Sequence, residues 1–555
     1  MIIMENSWLN LKEEIAKALG VDAKEVEEPE KYGDFAYACF SLAKKLRKDP
    51  KDIANDLAKK LNIKFVDRIE AVGPYVNFYV NWGDFGQELF KSVNEKYGFN
   101  KAKKTAVVDL SSPNPAHPFH MGTTRSTILG EALSRILESQ GWDVKRFCYM
   151  NDLGKQFSIL LLGYQMLGNN AKPEGKPDVW LGNLYFDINK KIAEDPSLEG
   201  KAEELLKKYE RGDKEIKKLA EKVLNWCLEG FKENWDSLGI KFKDIFFESS
   251  MKDESHKVIE ELKSKNLIFD ADGASILKLE PELPNTVIVR SDGTGLYLTR
   301  DIATTLWKFK HYKPDLNIWV VAEDQKLHFQ QQFKVIQLLG FGELAKKCFH
   351  LGYSMVLLEG EKMSARKGHM ILWDDLLKEG IERALKEIET RWSDLPVKER
   401  EKRAKAIALG SIVYFIVKYS PEKTVNFSWD NALRFEGDTG PYLQYAYARA
   451  NSILEKARIK KFDVKNLKDE KEIKVIKLLS KYPSVLEKSS DELKPHLLAN
   501  YLYDLVDSFN EFYQSIPVLK SEEELKNARL KLVEAVKIVL GTGLELLGIP
   551  ILEKM

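Results

Sequence analysis

Two short segments gather side chains suited to handling phosphate. In SSPNPAHPFHMGTTRS, residues 111–126, His117 and His120 stand three apart, directly ahead of Gly122 and a helical run. A glycine lets a ligand approach the backbone, and a helix N-terminus attracts anions through unpaired N–H groups and its dipole. The Walker spacing GxxxxGK[ST] is absent, so this is not a Walker loop. In KMSARKG, Lys362, Arg366 and Lys367 gather cations in one short loop. A third pattern, SDGTGLYLTRDIA, sets Tyr297 and Asp301 four apart, one turn apart on a helix. The carboxylate suits a cationic ligand, although Asp301 beside Arg300 also reads as a surface ion pair. Taken singly, both loops read as solvated surface.

Hydrophobic spacing predicts the elements that must position these groups. TAVVDL, which contains Asp109, is a β-branched run of the kind found in buried parallel strands. The Pro-rich loop follows, then a helical stretch from Thr124 to Ser139 and a strand at KRFCYM. Strand, loop, helix and strand make the βαβ unit of a nucleotide-binding sheet. The charged helical span from about 165 to 285 reads as an insertion, after which NTVIVR and NIWVVAE are expected to resume the sheet. Ahead of the sheet, Trp8 to Leu19 and Ala54 to Leu61 have helical spacing. YGDFAYACF and FVDRIEAVGPYVNFYV read as strands around a Gly-Pro turn. From about Ile407 helical periodicity runs onward and predicts a bundle. The expected organisation is an α+β domain at 1–98, an α/β Rossmann-type parallel-sheet domain at 99–400 and an all-α domain at 401–555. The middle domain carries the insertion and, at about 361–370, the cationic loop.

Composition narrows the class. Lys+Arg 86 against Asp+Glu 85 leaves a net charge of +1 in 555 residues, so whole-molecule electrostatics favours no partner. Hydrophobic residues at 44%, with only 19 prolines and 33 glycines, exclude disorder as the main state. No apolar run approaches the roughly 18 residues of a membrane span. The start, MIIMENSWLN, has neither the basic nor the apolar region of a signal peptide. Four cysteines without a CxxC pair argue against a cysteine zinc site and fit a reducing, cytoplasmic setting. Enrichment in Lys and Glu with few cysteines is the composition of heat-adapted proteins.

Read together, the blocks carry a resemblance. SSPNPAHPFHMGTTRSTILGEAL with YMNDLGKQ, then SDGTGLYLTRDIA, VVAEDQKLHF, KMSARKG and FEGDTGPYLQYAYARA, resemble the arginyl-tRNA synthetase family of class I aminoacyl-tRNA synthetases. They occur in the family's order over nearly the whole chain. The HIGH signature falls on His120, Met121, Gly122 and Thr123; the KMSKS signature falls on Lys362, Met363, Ser364, Ala365 and Arg366. The resemblance implies ATP-dependent joining of L-arginine to tRNA-Arg through an arginyl-adenylate. ATP is then a substrate and Mg²⁺ a cofactor, with no resident metal site. It also implies a monomer in the cytoplasm and no membrane partner. Bound tRNA would complete the site before arginine is activated.

The same resemblance distributes roles. His120 would donate to the α-phosphate, and Gly122 would let adenine or ribose pack on the backbone. Asp301 would accept the guanidinium with Tyr297 orienting it, and Asp109 would be a second acid. Asn114 and Gln325 would hold the α-amino group. Carboxylates suit a guanidinium because its planar fork of donors pairs with them bidentately. The chain departs from the family pattern at Thr123, where a second histidine is usual, and at Ala365, where a lysine is usual. A compensating lysine would fall at His117. Arg366 and Lys367 could serve instead.

For tRNA, the resemblance points to Tyr75 and Asn77 in GPYVNFYV, which alternate with Val76 and so share a strand face. It also points to Tyr442 and Tyr447 in the 401–555 bundle, where an anticodon would bind, and to Met555. Aromatic faces stack on splayed bases. For the bundle tyrosines, core packing at helical spacing is the competing reading, and it is the favoured one for Tyr445.

Two rivals remain at this level. One is a catalytically silent tRNA-binding paralogue, kept open by Thr123, His117 and Ala365; the other is a class I synthetase of different specificity. Pyrophosphate departure needs cationic stabilisation that Ala365 cannot supply. Imidazole ordinarily titrates near pH 6.5, which makes His117 the weakest candidate cation. Arg366→Ala should therefore lower the activation rate more than His117→Ala. The measurement is arginine activation with arginine and tRNA saturating. A larger loss in the His117 variant, deepening above about pH 7, would assign the charge to the imidazolium.

Overall fold

The computed structural model describes residues 7–29, 31–169, 171–289, 297–358, 361–362, 371–391 and 395–555. Contacts divide the chain into two units: residues 101–434 with 547–549, and residues 1–100 with 435–546 and 550–555. Residues 401–434, including most of the helix Val397–Val417, thus group with the sheet-bearing unit.

That unit is organised by five parallel strands: β1 (Lys104–Ser111), β2 (Trp142–Met150), β3 (Asp244–Phe247), β4 (Leu316–Ala322) and β5 (Cys348–Tyr353). Their order is β5-β4-β1-β2-β3, every pair parallel. β1 is buried from Ala106 to Ser111, the burial that selected its apolar, β-branched sequence. The crossover from β1 to β2 is helix α1 (Met121–Ser139). Gly130 is required there by contact: a Cβ would stand 2.2 Å from the Cβ of Leu110 on β1. From β1 the chain adds β2 and β3 on one side and later β4 and β5 on the other. Ligands of such sheets sit beyond the carboxyl ends of the strands, at this reversal.

Between β2 and β3 lie four helices, Lys155–Met166, α2 (Pro177–Glu194), Ser197–Arg211 and α3 (Lys214–Ser237). β3 rejoins the parallel sheet within the span expected to be insertion. NTVIVR behaves differently from expectation. Thr286–Val289 pairs antiparallel with Ala274–Leu277, which pairs antiparallel with Ile268–Ala271, so this segment builds a separate three-stranded sheet. The local hairpin Ile268–Leu277 offers it a neighbouring edge close in sequence. NIWVVAE forms β4 as expected. Two helices flank the carboxyl end of β4, α4 (Tyr297–Tyr312) before it and α5 (Lys326–Leu338) after it. A small sheet follows: β6 (Val356–Leu358) pairs antiparallel with β7 (Glu361–Lys362) and parallel with β8 (Val425–Phe427).

In the other unit, an antiparallel sheet has the strand order Val26–Glu27, Phe35–Ala38, Tyr75–Val80, Val66–Val72. Its helices include Gly440–Glu455, Glu470–Asp491, Pro495–Ser515 and Glu523–Leu547. The amino-terminal part meets these helices directly. The ring of Tyr97 stacks on Tyr482 at 6.0 Å, its hydroxyl donates to the Leu479 carbonyl at 3.2 Å, and Lys477 pairs with Asp34 at 3.0 Å. Among the described residues no helix is long and apolar enough to cross a membrane.

Candidate active site

Two cavities open at the carboxyl ends of the strands. The first, about 370 Å³, is lined by Asp109, Ser112, Asn114, Tyr149, Asn151, Glu248, Tyr297, Asp301, Thr304, Trp319, Val321, Gln325, His328 and Phe329. It brings together Asp109, Asn114, Tyr297, Asp301 and Gln325. The second, about 440 Å³, gathers His117, His120, Gly122 and Thr123 with Arg125, Ala322, Tyr353, Ser354, Met355 and Val356. Ser112 lines both.

Three carboxylates face the first cavity, and each has a partner. Asp109 Oδ2 lies 3.0 Å from the Nζ of Lys308, with both side chains buried. Burial raises the carboxyl of Asp109 and Lys308 opposes that rise. Glu248 Oε1 meets Arg300 Nε at 2.6 Å; burial pushes Glu248 up to about 7, against the pull of the guanidinium. Asp301 Oδ2 meets His328 Nε2 at 2.8 Å, so Arg300 is not its ion-pair partner. The ring of Tyr297, 51% exposed, stands over His328 at 5.0 Å between centroids. Asn114 accepts from the Ala116 N–H at 2.9 Å and donates to Gln156 at 2.5 Å, which sets the loop after β1. Gln325 closes a short 3-10 turn at the end of β4.

Glu248, His328, Tyr149 and Asn151 were not anticipated from sequence. Glu248 follows the run DIFF, at the carboxyl end of a parallel strand, a signal masked by assigning that span to the insertion. Asn151 and His328 belong to the YMNDLGKQ and VVAEDQKLHF blocks already singled out.

In the second cavity His120 caps α1. Its Nδ1 accepts the Gly122 N–H at 3.1 Å, so the ring proton of the neutral imidazole sits on Nε2, 3.4 Å from Thr123 Oγ1. Burial, aided by nearby His117, brings this imidazole down to about 4; burial also lowers His117. Both rings are therefore neutral at pH 7. Gly122 has a local reason to be glycine, because a Cβ there would lie 2.8 Å from Cε1 of His120. The loop is held from outside by the four-helix insertion. Asp178, at the start of α2, accepts the Phe119 N–H at 3.1 Å, and Tyr185 meets the His117 ring edge-on at 5.1 Å.

Lys362 ends β7; its side chain, together with Met363, Ser364, Arg366 and Lys367, lies outside the described residues. Beyond that segment, the Ile371 carbonyl accepts the Met121 N–H at 3.0 Å and the Trp373 N–H donates to the Phe119 carbonyl at 3.0 Å. Among the described residues no group of three or more His, Cys, Asp or Glu side chains could hold a metal ion.

The expected tRNA residues divide. Tyr75 is 41% exposed at the start of its strand, but Asn77, two residues further into the sheet, is only 3% exposed. That burial speaks against Asn77 as a base contact. Tyr447 is likewise core, packed so closely on Gly541 that a Cβ there would lie 2.8 Å from its ring. Tyr442 and Tyr445 are half-buried, Tyr445 beneath the guanidinium of Arg449 at 4.6 Å. Met555 is half-buried.

Comparison with known proteins gives three family matches along the chain. Residues 9–80 match the arginyl tRNA synthetase N terminal domain, 87–429 the catalytic domain of tRNA synthetases class I (R), and 443–555 the DALR anticodon binding domain. The chain is 38% identical to an arginine–tRNA ligase of Clostridium perfringens over 98% of both proteins, and 36% identical to that of Clostridium botulinum over 97% of both. Among solved structures, Thermus thermophilus arginyl-tRNA synthetase superposes with a TM-score of 0.85 at 30% identity, covering 100% of each chain. Plasmodium falciparum arginyl-tRNA synthetase shares the fold, with a TM-score of 0.81 at 23% identity over 98% of each chain.

The state of His120 can be checked without any ligand. Nitrogen-15 NMR of the free protein should show the Nε2–H tautomer at pH 7 and a titration midpoint near 4. Gly122→Ala should displace the ring and return the midpoint toward the ordinary value of about 6.5. A midpoint above about 6 in the unaltered protein would mean that this ring is solvated.

Proposed function

The chain belongs to the arginyl-tRNA synthetase family of class I synthetases, and on that premise we propose that it joins L-arginine to tRNA-Arg at the expense of ATP, by way of an arginyl-adenylate. One observation carries the assignment of arginine to the first cavity. Its three carboxylates include two already paired with internal cations, Asp109 with Lys308 and Glu248 with Arg300. Among the described lining residues, Asp301 is the carboxylate left without a Lys or Arg partner. One uncompensated carboxylate, held by His328 and flanked by the Tyr297 ring, complements one guanidinium. An apolar amino acid would leave that carboxylate desolvated without a partner.

ATP is assigned to the second cavity, its α-phosphate toward Nε2–H of His120 at the amino end of α1. Asn114 and Gln325 would hold the α-amino group, which turns the arginine carboxylate toward Ser112, shared by both cavities. A carboxylate oxygen then attacks the α-phosphorus, the bond to the β-phosphate oxygen breaks, and pyrophosphate leaves. Catalysis of this kind rests on placement and charge stabilisation. Mg²⁺ would enter with ATP, as MgATP. With His117 kept neutral by burial, Arg366 and Lys367 are the preferred cations for the departing pyrophosphate. Tyr75 and Tyr442 are the favoured stacking residues for tRNA, with Met555 a further contact; burial of Asn77 and Tyr447 argues against them. We further propose that the enzyme works as a cytoplasmic monomer.

The test is charging of tRNA-Arg with labelled arginine against the other amino acids, with ATP consumption followed in parallel. A silent paralogue would consume none, and a synthetase of other specificity would follow another amino acid. Asp301→Asn removes the uncompensated charge, a loss of about 1.5–3 kcal/mol, or roughly 10- to 150-fold in kcat/KM for arginine. The KM for ATP should hardly change. Unaltered arginine charging would remove Asp301 from the pocket.

The charge count also implies a pH dependence. Glu248 titrates near 7, so lowering the pH through that value protonates it. The described lining then carries one negative charge fewer while arginine stays cationic. The KM for arginine should rise roughly three- to tenfold, about 1 kcal/mol, between about pH 8 and pH 6. Glu248→Gln should show the high value throughout. A variant that keeps the wild-type pH profile would show that Glu248 does not set it.

A further inference from the structure

Arg125 lies on the second turn of α1 and lines the second cavity. Its side chain is fully buried, yet among the described residues it forms no ion pair. A buried guanidinium without a carboxylate is costly unless its donors are otherwise matched. Here the two Nη groups meet backbone carbonyls from two separate segments, while Nε is buried without a partner among the described residues. Nη1 donates to the carbonyls of Ser354 and Met355, the latter at 3.0 Å. Nη2 donates to Pro421 at 3.1 Å and Lys423 at 2.9 Å. Burial brings this guanidinium down to about 10, so it remains cationic at neutral pH.

The two segments are the approaches to β6 and β8. They are also cross-tied by the Ser354 N–H to the Pro421 carbonyl at 3.0 Å and the Val425 N–H to the Met355 carbonyl at 3.2 Å. β6 pairs with β7, and β7 ends at Lys362, where the second signature begins. On the far side of that signature, Ile371 and Trp373 are tied by backbone bonds to Met121 and Phe119. The described segments on either side of the second signature are thus tied to the first, the later one by backbone bonds and the earlier one by the Arg125 side chain. A neutral bond of the same sense accompanies it, from the Tyr353 hydroxyl to the Gly122 carbonyl at 3.3 Å.

We propose that Arg125 is a positioning residue for amino-acid activation: it holds the approaches to β6 and β8 against α1, so that this wall of the second cavity and His120 address one triphosphate. This rests on the assignment of the second cavity to ATP. Lysine keeps the charge but lacks the rigid fork that spans both segments. Arginine itself binds in the other cavity, so its affinity should not follow the clasp.

The experiment is ATP–pyrophosphate exchange with arginine and tRNA present, normalised by active-site titration and accompanied by melting curves. Arg125→Lys should lower kcat roughly 30- to 100-fold, with the KM for arginine within about twofold of wild type. Tyr353→Phe, which removes one neutral bond, should lower kcat by roughly three- to fivefold with the same split. A kcat for Arg125→Lys within about threefold of wild type per active site, or an arginine KM rising in step, would leave Arg125 a purely structural residue. Should Arg125→Lys fail to fold, Tyr353→Phe decides by the same criterion, and an unchanged kcat overturns the proposal. Absence of arginine-dependent exchange in the wild type would instead overturn the ATP assignment.

Discussion

A buried ion pair docks α4, and with it the wall of the first cavity, onto the sheet. The register places Phe147, Asp109 and Trp319 side by side on β2, β1 and β4. Lys308, from α4, lies over this row, 3.0 Å from Asp109, 4.1 Å from the Phe147 ring centre and 5.1 Å from that of Trp319. An ammonium buried this completely is tolerable only with its carboxylate and its aromatic faces in place. The pair sets where α4 sits along the strands. Thr304 and Asp301 lie on the same helix face one and two turns earlier, and Tyr297 opens the helix, so all three reach the cavity through this contact.

The same reasoning explains why a cavity rich in acids does not repel itself apart. Three carboxylates in low dielectric would raise one another strongly. Internal cations absorb two of them, and a histidine hydrogen bond orients the third. What remains, among the described lining residues, is one carboxylate without a Lys or Arg partner, in a wall that also offers Tyr149, Trp319 and Phe329. Preorganisation of this kind does more for selectivity than the number of acids.

The first signature loop is held in a different way. The insertion contributes Asp178 to its backbone and Tyr185 to His117, and Gly182 lets α2 approach so closely that a Cβ would meet Pro118 at 2.5 Å. Enclosure removes charge from both histidines, which makes them hydrogen-bond donors rather than cations. The positive charge of the second cavity, among its described lining residues, belongs to Arg125. The span that reads in sequence as an insertion therefore buttresses the first signature loop.

Local pattern in the sequence determined a great deal. Helical spacing placed Tyr297 and Asp301 on one face, β-branched runs marked β1 and β4, and the resemblance named Asp109 at the end of β1 with Asn114 and Gln325 in the motif blocks, all of which meet in one cavity. These are properties of a few adjacent residues and the short-range geometry of helix and strand. Tertiary structure decided what those groups are paired with. Asp109 finds Lys308 across 199 residues and Glu248 finds Arg300 across 52, and no local period encodes such distances. It also decided burial: Asn77 and Tyr447 have the right types for tRNA contact, but the sheet and the bundle close over them. NTVIVR took a strand conformation as its composition dictates, yet its partner was chosen by the nearest free edge. Protonation followed the same rule, since the state of His117 and His120 depends on how much water the surrounding helices exclude, a quantity that exists only once the chain has folded.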